Sequence, residues 1–157
     1  MKKMKILMVL GSGGHTAQML KLIKMLGNKY NYEYLINRND VVTPKKVSGK
    51  IYSIPNPRVF EASAFSKVSK TAWGFIKSFF IILRFDVIIS AGPGLSVPAF
   101  YAAKFLGKKT IFFEGWSRAR SPSVSGRLCY PVSDLFFVQW PEMKKFYPRA
   151  VYAGRLG

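Results

Sequence analysis

Lys5-Ile-Leu-Met-Val-Leu-Gly-Ser-Gly-Gly-His-Thr-Ala-Gln-Met-Leu-Lys-Leu-Ile-Lys-Met-Leu-Gly27 is the stretch that decides the fold. Lys5 to Leu10 is a nearly unbroken apolar run, the pattern of a strand buried on both faces. Thr16 to Leu26 carries Met19, Leu22, Ile23 and Leu26 at helical spacing, and Gly27 is the expected C-terminal stop. Gly11, Gly13 and Gly14 lie between the two and supply a sharp turn. The stretch therefore reads as strand, glycine turn and helix, the opening unit of a βα protein.

Working outward, the same rhythm repeats. Tyr30 to Ile36 reads as a second strand, and Ile51 to Ile54 as a third, closed by Pro55 and Pro57. A basic, apolar helix follows over Lys70 to Arg84. Asp86 to Ala91 is an apolar strand, Val97 to Leu106 a helix ended by Gly107, and Thr110 to Phe113 a strand. Leu135 to Gln139 and Val151 to Ala153 read as the last two strands. The alternation predicts an α/β fold, a doubly wound parallel sheet of Rossmann type, in one domain over 1–157. Asn37 to Lys50 is the most polar stretch, and Ser117 to Ser125 reads as a flexible loop.

Composition bounds the function. Of 157 residues, 49% are apolar and 15% aromatic, which excludes a disordered chain. Lys and Arg number 25 against 7 Asp plus Glu, a net charge of +18, so the expected partner is anionic. A single Cys and a single His exclude a disulfide framework and a Cys/His zinc site. Cys129 is expected to be a reduced thiol near the core. Met1 to Leu10 mimics a signal peptide, but the apolar run is too short and no cleavage region follows, so a cytosolic location is expected.

In doubly wound sheets ligands bind beyond the carboxyl ends of the strands. Three segments fall there: Gly11-Ser12-Gly13-Gly14-His15, Gly92-Pro93-Gly94, and Glu114-Gly-Trp-Ser-Arg118. The first lets the N–H groups and dipole of the following helix meet an anion, with Thr16 opening that helix. Its spacing is neither the dinucleotide fingerprint nor a Walker loop. His15 has the natural proton acceptor of neutral pH, and a helix N-terminus favours its neutral form; it reads as a base, a hydrogen-bonding donor or a helix cap. Gly92 to Gly94, with Ser96, reads as a second phosphate-holding turn or an ordinary βα turn. Glu114 ends an apolar strand, where an acid is expected to face the crevice. Arg118 and Arg120 are candidates to grip a diphosphate. No paired carboxylates suggest a metal-dependent sugar transferase or a glycosidase.

Lys70 to Arg84 holds the other functional signal. Lys70, Lys77 and Arg84 recur every seven residues, with Trp73, Phe75, Phe79 and Phe80 among the apolar remainder. Such a helix suits the headgroup plane of an anionic membrane, or it packs on the sheet with its lysines solvated. The charge also invites a nucleic-acid module, but the basic residues are spread through the chain and no recognition motif is visible, so no specific nucleic acid is expected.

Gly11 to Thr16, Gly92-Pro-Gly94 with Pro98, Glu114 to Arg118, Ser125-Gly126, Tyr130-Pro131, Gln139-Trp140-Pro141, Tyr147-Pro-Arg149 and Gly154 together make the chain resemble a known family. It is similar to the acceptor-side subunit of two-component UDP-sugar glycosyltransferases. That family includes the eukaryotic dolichol-pathway anchor subunit and bacterial polysaccharide proteins of the PssD type. The resemblance implies the N-terminal half of a GT-B glycosyltransferase, as in MurG. It maps Gly11 to Thr16 onto the acceptor-side phosphate loop and Glu114 onto the acid after the next strand. It implies His15 and Glu114 as catalytic candidates. It further implies a polyprenyl-diphosphate-linked glycan as acceptor and a UDP-sugar held by a separate nucleotide-binding subunit, the GT-B C-terminal half, without metal or other cofactor. A peripheral position on the cytoplasmic face of the membrane follows, with Lys70 to Arg84 as the contact. The rival reading is a non-catalytic scaffold that recruits the catalytic subunit.

Overall fold

The computed structural model describes residues 3–11, 13–55 and 64–156, with the backbone alone over 64–71. The strands are β1 (Lys5–Val9), β2 (Asn31–Asn37), β3 (Ile51–Ile54), β4 (Val87–Ser90), β5 (Lys109–Phe113), β6 (Leu135–Val138) and β7 (Val151–Tyr152). The helices are α1 (Gly14–Leu26), α2 (Ala64–Ile82), α3 (Ser96–Phe105) and α4 (Val124–Cys129). All seven strands pair in parallel, in the order β3-β2-β1-β4-β5-β6-β7. The doubly wound sheet expected from the sequence is therefore present. Its direction of winding reverses between β1 and β4, so the turns leaving those two strands flank the switch point, where such sheets bind ligands.

The pleat divides β1 between two cores. Leu7 and Val9 join one cluster, with Ile82 of α2 and Phe85 just after it, Ala99, Phe100, Ala102 and Ala103 of α3, and Cys129 of α4. Ile6, Met8 and Leu10 join the other, with Met19 of α1. Alternate side chains of a strand point to opposite faces, and both faces are covered here, which explains the unbroken apolar run. Across β5 and β6, Phe112 stacks on Phe136 and Phe113 on Phe137, with ring centroids 4.9 and 4.8 Å apart.

Two segments differ from the sequence expectation. The basic helix starts at Ala64, before Lys70, because no Gly or Pro breaks the run upstream, and it ends before Arg84. The stretch read as flexible gives way to α4. Ser123 caps it, its side chain accepting from Gly126 N–H at 2.8 Å. Six residues containing a glycine carry too little periodicity to announce a helix. Among the described residues, no helix is long and apolar enough to cross a membrane.

Candidate functional site

The turns after β1, β4 and β5 converge on one imidazole. A side chain's first carbon on Gly92 or Gly115 would stand 3.7 Å from Cε1 of His15, and one on Gly11 would stand 3.6 Å from Cδ2. A side chain on any of the three turns would therefore touch His15, and the glycines leave that space to the imidazole. Gly11 tolerates no side chain, because Pro93 of the second turn packs directly on it. Gly13 precedes α1 with no side-chain cap, and the first turn holds no acid. The positive end of the α1 dipole therefore lies beside the turns with no acid of its own first turn to offset it. A hollow of about 300 Å³ opens here, lined by Gly14, His15, Gln18, Gly115, Trp116 and Ser117. None of these carries a negative charge, so the lining suits an anion.

Several predicted residues prove to brace the turns instead of reaching the hollow. Thr16 is buried, and its hydroxyl donates to the Gly11 carbonyl. It also meets Thr43 Oγ1 at 3.3 Å, and Thr43 in turn donates to Asp40 Oδ2 at 2.5 Å. Ser96 is buried too, its hydroxyl 2.5 Å from that of Ser90. Ser90 approaches the Val9 carbonyl and accepts from Gly92 N–H, at 3.2 and 3.3 Å. Both hydroxyls are consumed within the fold, so neither is set to hold a phosphate.

Glu114 corrects the expectation most sharply. It is 1% exposed, a core acid that does not line the hollow. Its Oε1 accepts from Gly115 N–H at 3.1 Å, and its Oε2 accepts from Ser123 N–H at 3.2 Å and the Tyr147 hydroxyl at 2.8 Å. Three donors satisfy the buried charge. Burial first, then the charge and hydrogen bond of Glu114, push the Tyr147 hydroxyl upward, so it stays a donor. Burial followed by the same charge pushes the buried Cys129 thiol upward, which keeps it protonated and inert. Arg118 is exposed, with its stem beside Gly115, at the rim of the hollow; Arg120 is exposed farther along the loop. Ser12 lies outside the described residues.

On α2 the expected membrane residues separate into two groups. Phe75 and Phe79 pack inward against the core, which corrects their assignment to a lipid-facing surface. Trp73, Ile76, Phe80 and Leu83 are exposed along one face, with Phe80 at 64%. Lys77 lies on that same side, by helical spacing, and exposed Arg84 follows just past the end of α2. Phe105 of α3, 78% exposed, adjoins the patch through Phe79, whose ring centroid is 5.9 Å away. A side chain on Gly74 would meet Pro98, just beyond the second glycine turn, so α2 packs closely on the start of α3. The side chain of Lys70 lies outside the described residues.

Comparison with known proteins decides the kinship. Residues 6–156 match the family described as oligosaccharide biosynthesis protein Alg14 like. The chain belongs to the Alg14-like family. Mouse UDP-N-acetylglucosamine transferase subunit ALG14 is 33% identical over 99% of this chain and 84% of its own length. The fission yeast subunit, from Schizosaccharomyces pombe, is 34% identical over 95% and 81%. Among solved structures, MurG of Acinetobacter baumannii superposes with a TM-score of 0.74 at 19% identity, covering 89% of this chain and 42% of MurG. A UDP-GlcNAc 2-epimerase from Neisseria meningitidis, bound to UDP-GlcNAc, gives 0.70 at 14%, covering 97% and 46%. These likenesses establish a Rossmann-like fold of the GT-B type. The chain spans less than half of each of those two proteins.

Within the family frame, the residues that sequence reasoning left out of the site are Gln18, Gly115, Trp116 and Ser117. Gly115, Trp116 and Ser117 sit inside the quoted Glu114 to Arg118 motif and were within reach. Gln18 had a fainter signal, a polar residue three and four positions past His15 and Gly14 and therefore on their side of α1.

Proposed function

We propose that this chain is the acceptor-side subunit of a two-component glycosyltransferase. It would hold a polyprenyl-diphosphate-linked sugar at the cytoplasmic face of a membrane while a separate nucleotide-binding subunit brings the UDP-sugar. One observation carries the reading: three glycine turns close on His15 beside a helix N-terminus, in a hollow without carboxylates. The relatives' designation as UDP-N-acetylglucosamine transferase subunits supports it.

In this mechanism the first N–H groups of α1 and Arg118 hold the diphosphate, so its charge is met by protein groups and not by a metal ion. His15 accepts the proton of the acceptor hydroxyl as that oxygen attacks the anomeric carbon of the donor. The bond from that carbon to the UDP oxygen breaks, and UDP leaves with the electron pair. Glu114 is a positioning residue, holding the β5 turn against α4. The exposed face of α2 supports a membrane contact, with aromatic rings below the headgroups and Lys77 and Arg84 at their level.

The test is sugar transfer from UDP-N-acetylglucosamine to a short polyprenyl-diphosphate-linked sugar, with the chain alone and with its co-purified nucleotide-binding partner. Activity should require both. His15→Ala should lower the rate of the assembled pair by about 10²–10⁴ while assembly persists. Full activity of the isolated chain would end the two-component reading. An assembled His15→Ala pair working at the normal rate would favour a pure scaffold.

A further inference from the structure

The glycine turns and the α1 N-terminus account for an anion, but they leave Gln18 unexplained. It lies one turn past Gly14, lines the same hollow and is 2% exposed. Among the described residues, neither its amide oxygen nor its amide nitrogen has a hydrogen-bond partner. The buried polar side chains around it are paired: Thr16 with Gly11, Ser90 with Ser96, and Glu114 with Tyr147. Folded proteins rarely leave a buried donor and acceptor both unmet, because desolvation is then uncompensated. A ligand that enters the hollow can complete them.

The chemistry of a carboxamide selects the class of that ligand. It presents a donor and an acceptor side by side. A phosphate oxygen only accepts, and against Oε1 it would set lone pair to lone pair. A vicinal pair of sugar hydroxyls matches both ends: one oxygen accepts from Nε2–H while the neighbouring O–H donates to Oε1. An N-acetyl group points its N–H and C=O in opposite directions, so it meets one end only. Trp116 adds an aromatic wall, half exposed, against which the C–H face of a sugar ring can pack. The hollow, about 300 Å³, is at the small end of ligand sites.

We propose that Gln18 is the sugar-reading residue of this hollow, its carboxamide pairing with vicinal hydroxyls of the sugar whose diphosphate sits at the N-terminus of α1. The inference rests on the acceptor-site reading above. It assigns selection of the sugar to a neutral side chain and retention of the diphosphate to the start of α1 with Arg118.

The full-length chain has two glutamines, Gln18 and Gln139, so the Gln18 side-chain amide is assigned in a ¹⁵N spectrum by its loss in Gln18→Met. Three probes are titrated: N-acetylglucosamine, its 3,4-di-O-methyl ether, and inorganic pyrophosphate. N-acetylglucosamine should shift the Gln18 amide saturably, the ether should not, and Gln18→Met should bind the sugar about tenfold more weakly or worse. Pyrophosphate should shift the Gly13, Gly14 and His15 backbone amides alike in both proteins, which a merely structural role for Gln18 would not allow. An unmoved Gln18 amide, or equal shifts with the ether, overturns the proposal and leaves water as the partner of the carboxamide. Undiminished sugar affinity in Gln18→Met overturns it as well. A sugar shift at Gln18 without a pyrophosphate shift at the turn keeps the sugar contact and overturns the diphosphate reading. If Gln18→Met does not fold, comparison of sugar and ether on the wild-type chain still decides.

Discussion

Glu114, Tyr147 and Gly126 show how single side chains set the shape of the β5 turn. The Glu114 carboxylate lies where a side chain on Gly126 would have to go, and the Tyr147 hydroxyl crowds the same space. Gly126→Ala must therefore displace a satisfied buried charge. It should cost about 1–3 kcal/mol of unfolding free energy, as overpacking does, measured by denaturant titration. Tyr147→Phe removes one donor from the carboxylate without adding volume and should cost about 1.5–3 kcal/mol, the range for hydrogen bonds to charged groups. Gly126→Ala as stable as wild type would mean that the carboxylate is elsewhere. His15→Ala should behave differently. It trims an imidazole that lines the hollow, so its effect should be read in the transfer activity of the assembled pair.

Helix α2 and the loop after β2 carry the next scale. α2 has apolar residues on both sides, so its sequence alone gives no phase; packing against α3 and the sheet decides which rings turn inward. Phe79→Ser should lower stability by about 2 kcal/mol or more, since it removes a ring packed on the core. Phe80→Ser should leave stability within about 0.5 kcal/mol and weaken sedimentation with anionic vesicles. Equal vesicle binding by wild type and Phe80→Ser would make α2 a partner-facing or solvated helix. The loop is governed by Asp40. Desolvation raises its carboxyl, but hydrogen bonds from Thr43 and Val42 and the charge of Lys46 outweigh it, so it sits below the ordinary value of 3.8. Asp134 is also lowered: desolvation raises it, and hydrogen bonds from Thr110 with the charges of Lys104 and Lys109 prevail. A depressed carboxylate contributes stability that is fully present above its unfolded value and is lost as pH falls through the folded one. Thermal midpoints should therefore be flat near neutrality and drop below about pH 4, with a smaller drop in Asp134→Asn. Because Asp40 holds Thr43, which meets Thr16 under the first glycine turn, the same acid range should loosen the site.

At the scale of the whole molecule, the parallel sheet was legible because both of its faces are buried, which writes strands as apolar runs and helices as periodic ones. The convergence of three turns was legible from topology. What the hydroxyls and the acid do there was not. Thr16 and Ser96 mark helix starts in the sequence, but their bonds run back to strand-end partners. Glu114 finds its donors at Ser123 and at Tyr147, 33 positions away, a pairing no local pattern records. Net charge was legible and ambiguous, since +18 attracts lipid and nucleic acid alike. Salt separates the two. Charge is screened over ~3 Å at 1 M salt, while burial of apolar surface is not. Binding to generic DNA should therefore vanish as salt rises from about 0.05 to 0.5 M, following counterion release. Binding to anionic vesicles should fall over the same range but keep a salt-resistant remainder, carried by Trp73, Phe80 and Phe105. The double variant Trp73→Ser, Phe80→Ser should lose most of that remainder and keep the salt-sensitive part. If vesicle binding by the wild-type chain disappears with salt as completely as DNA binding, the exposed face of α2 does not enter the bilayer, and its charge alone brings the chain to the surface.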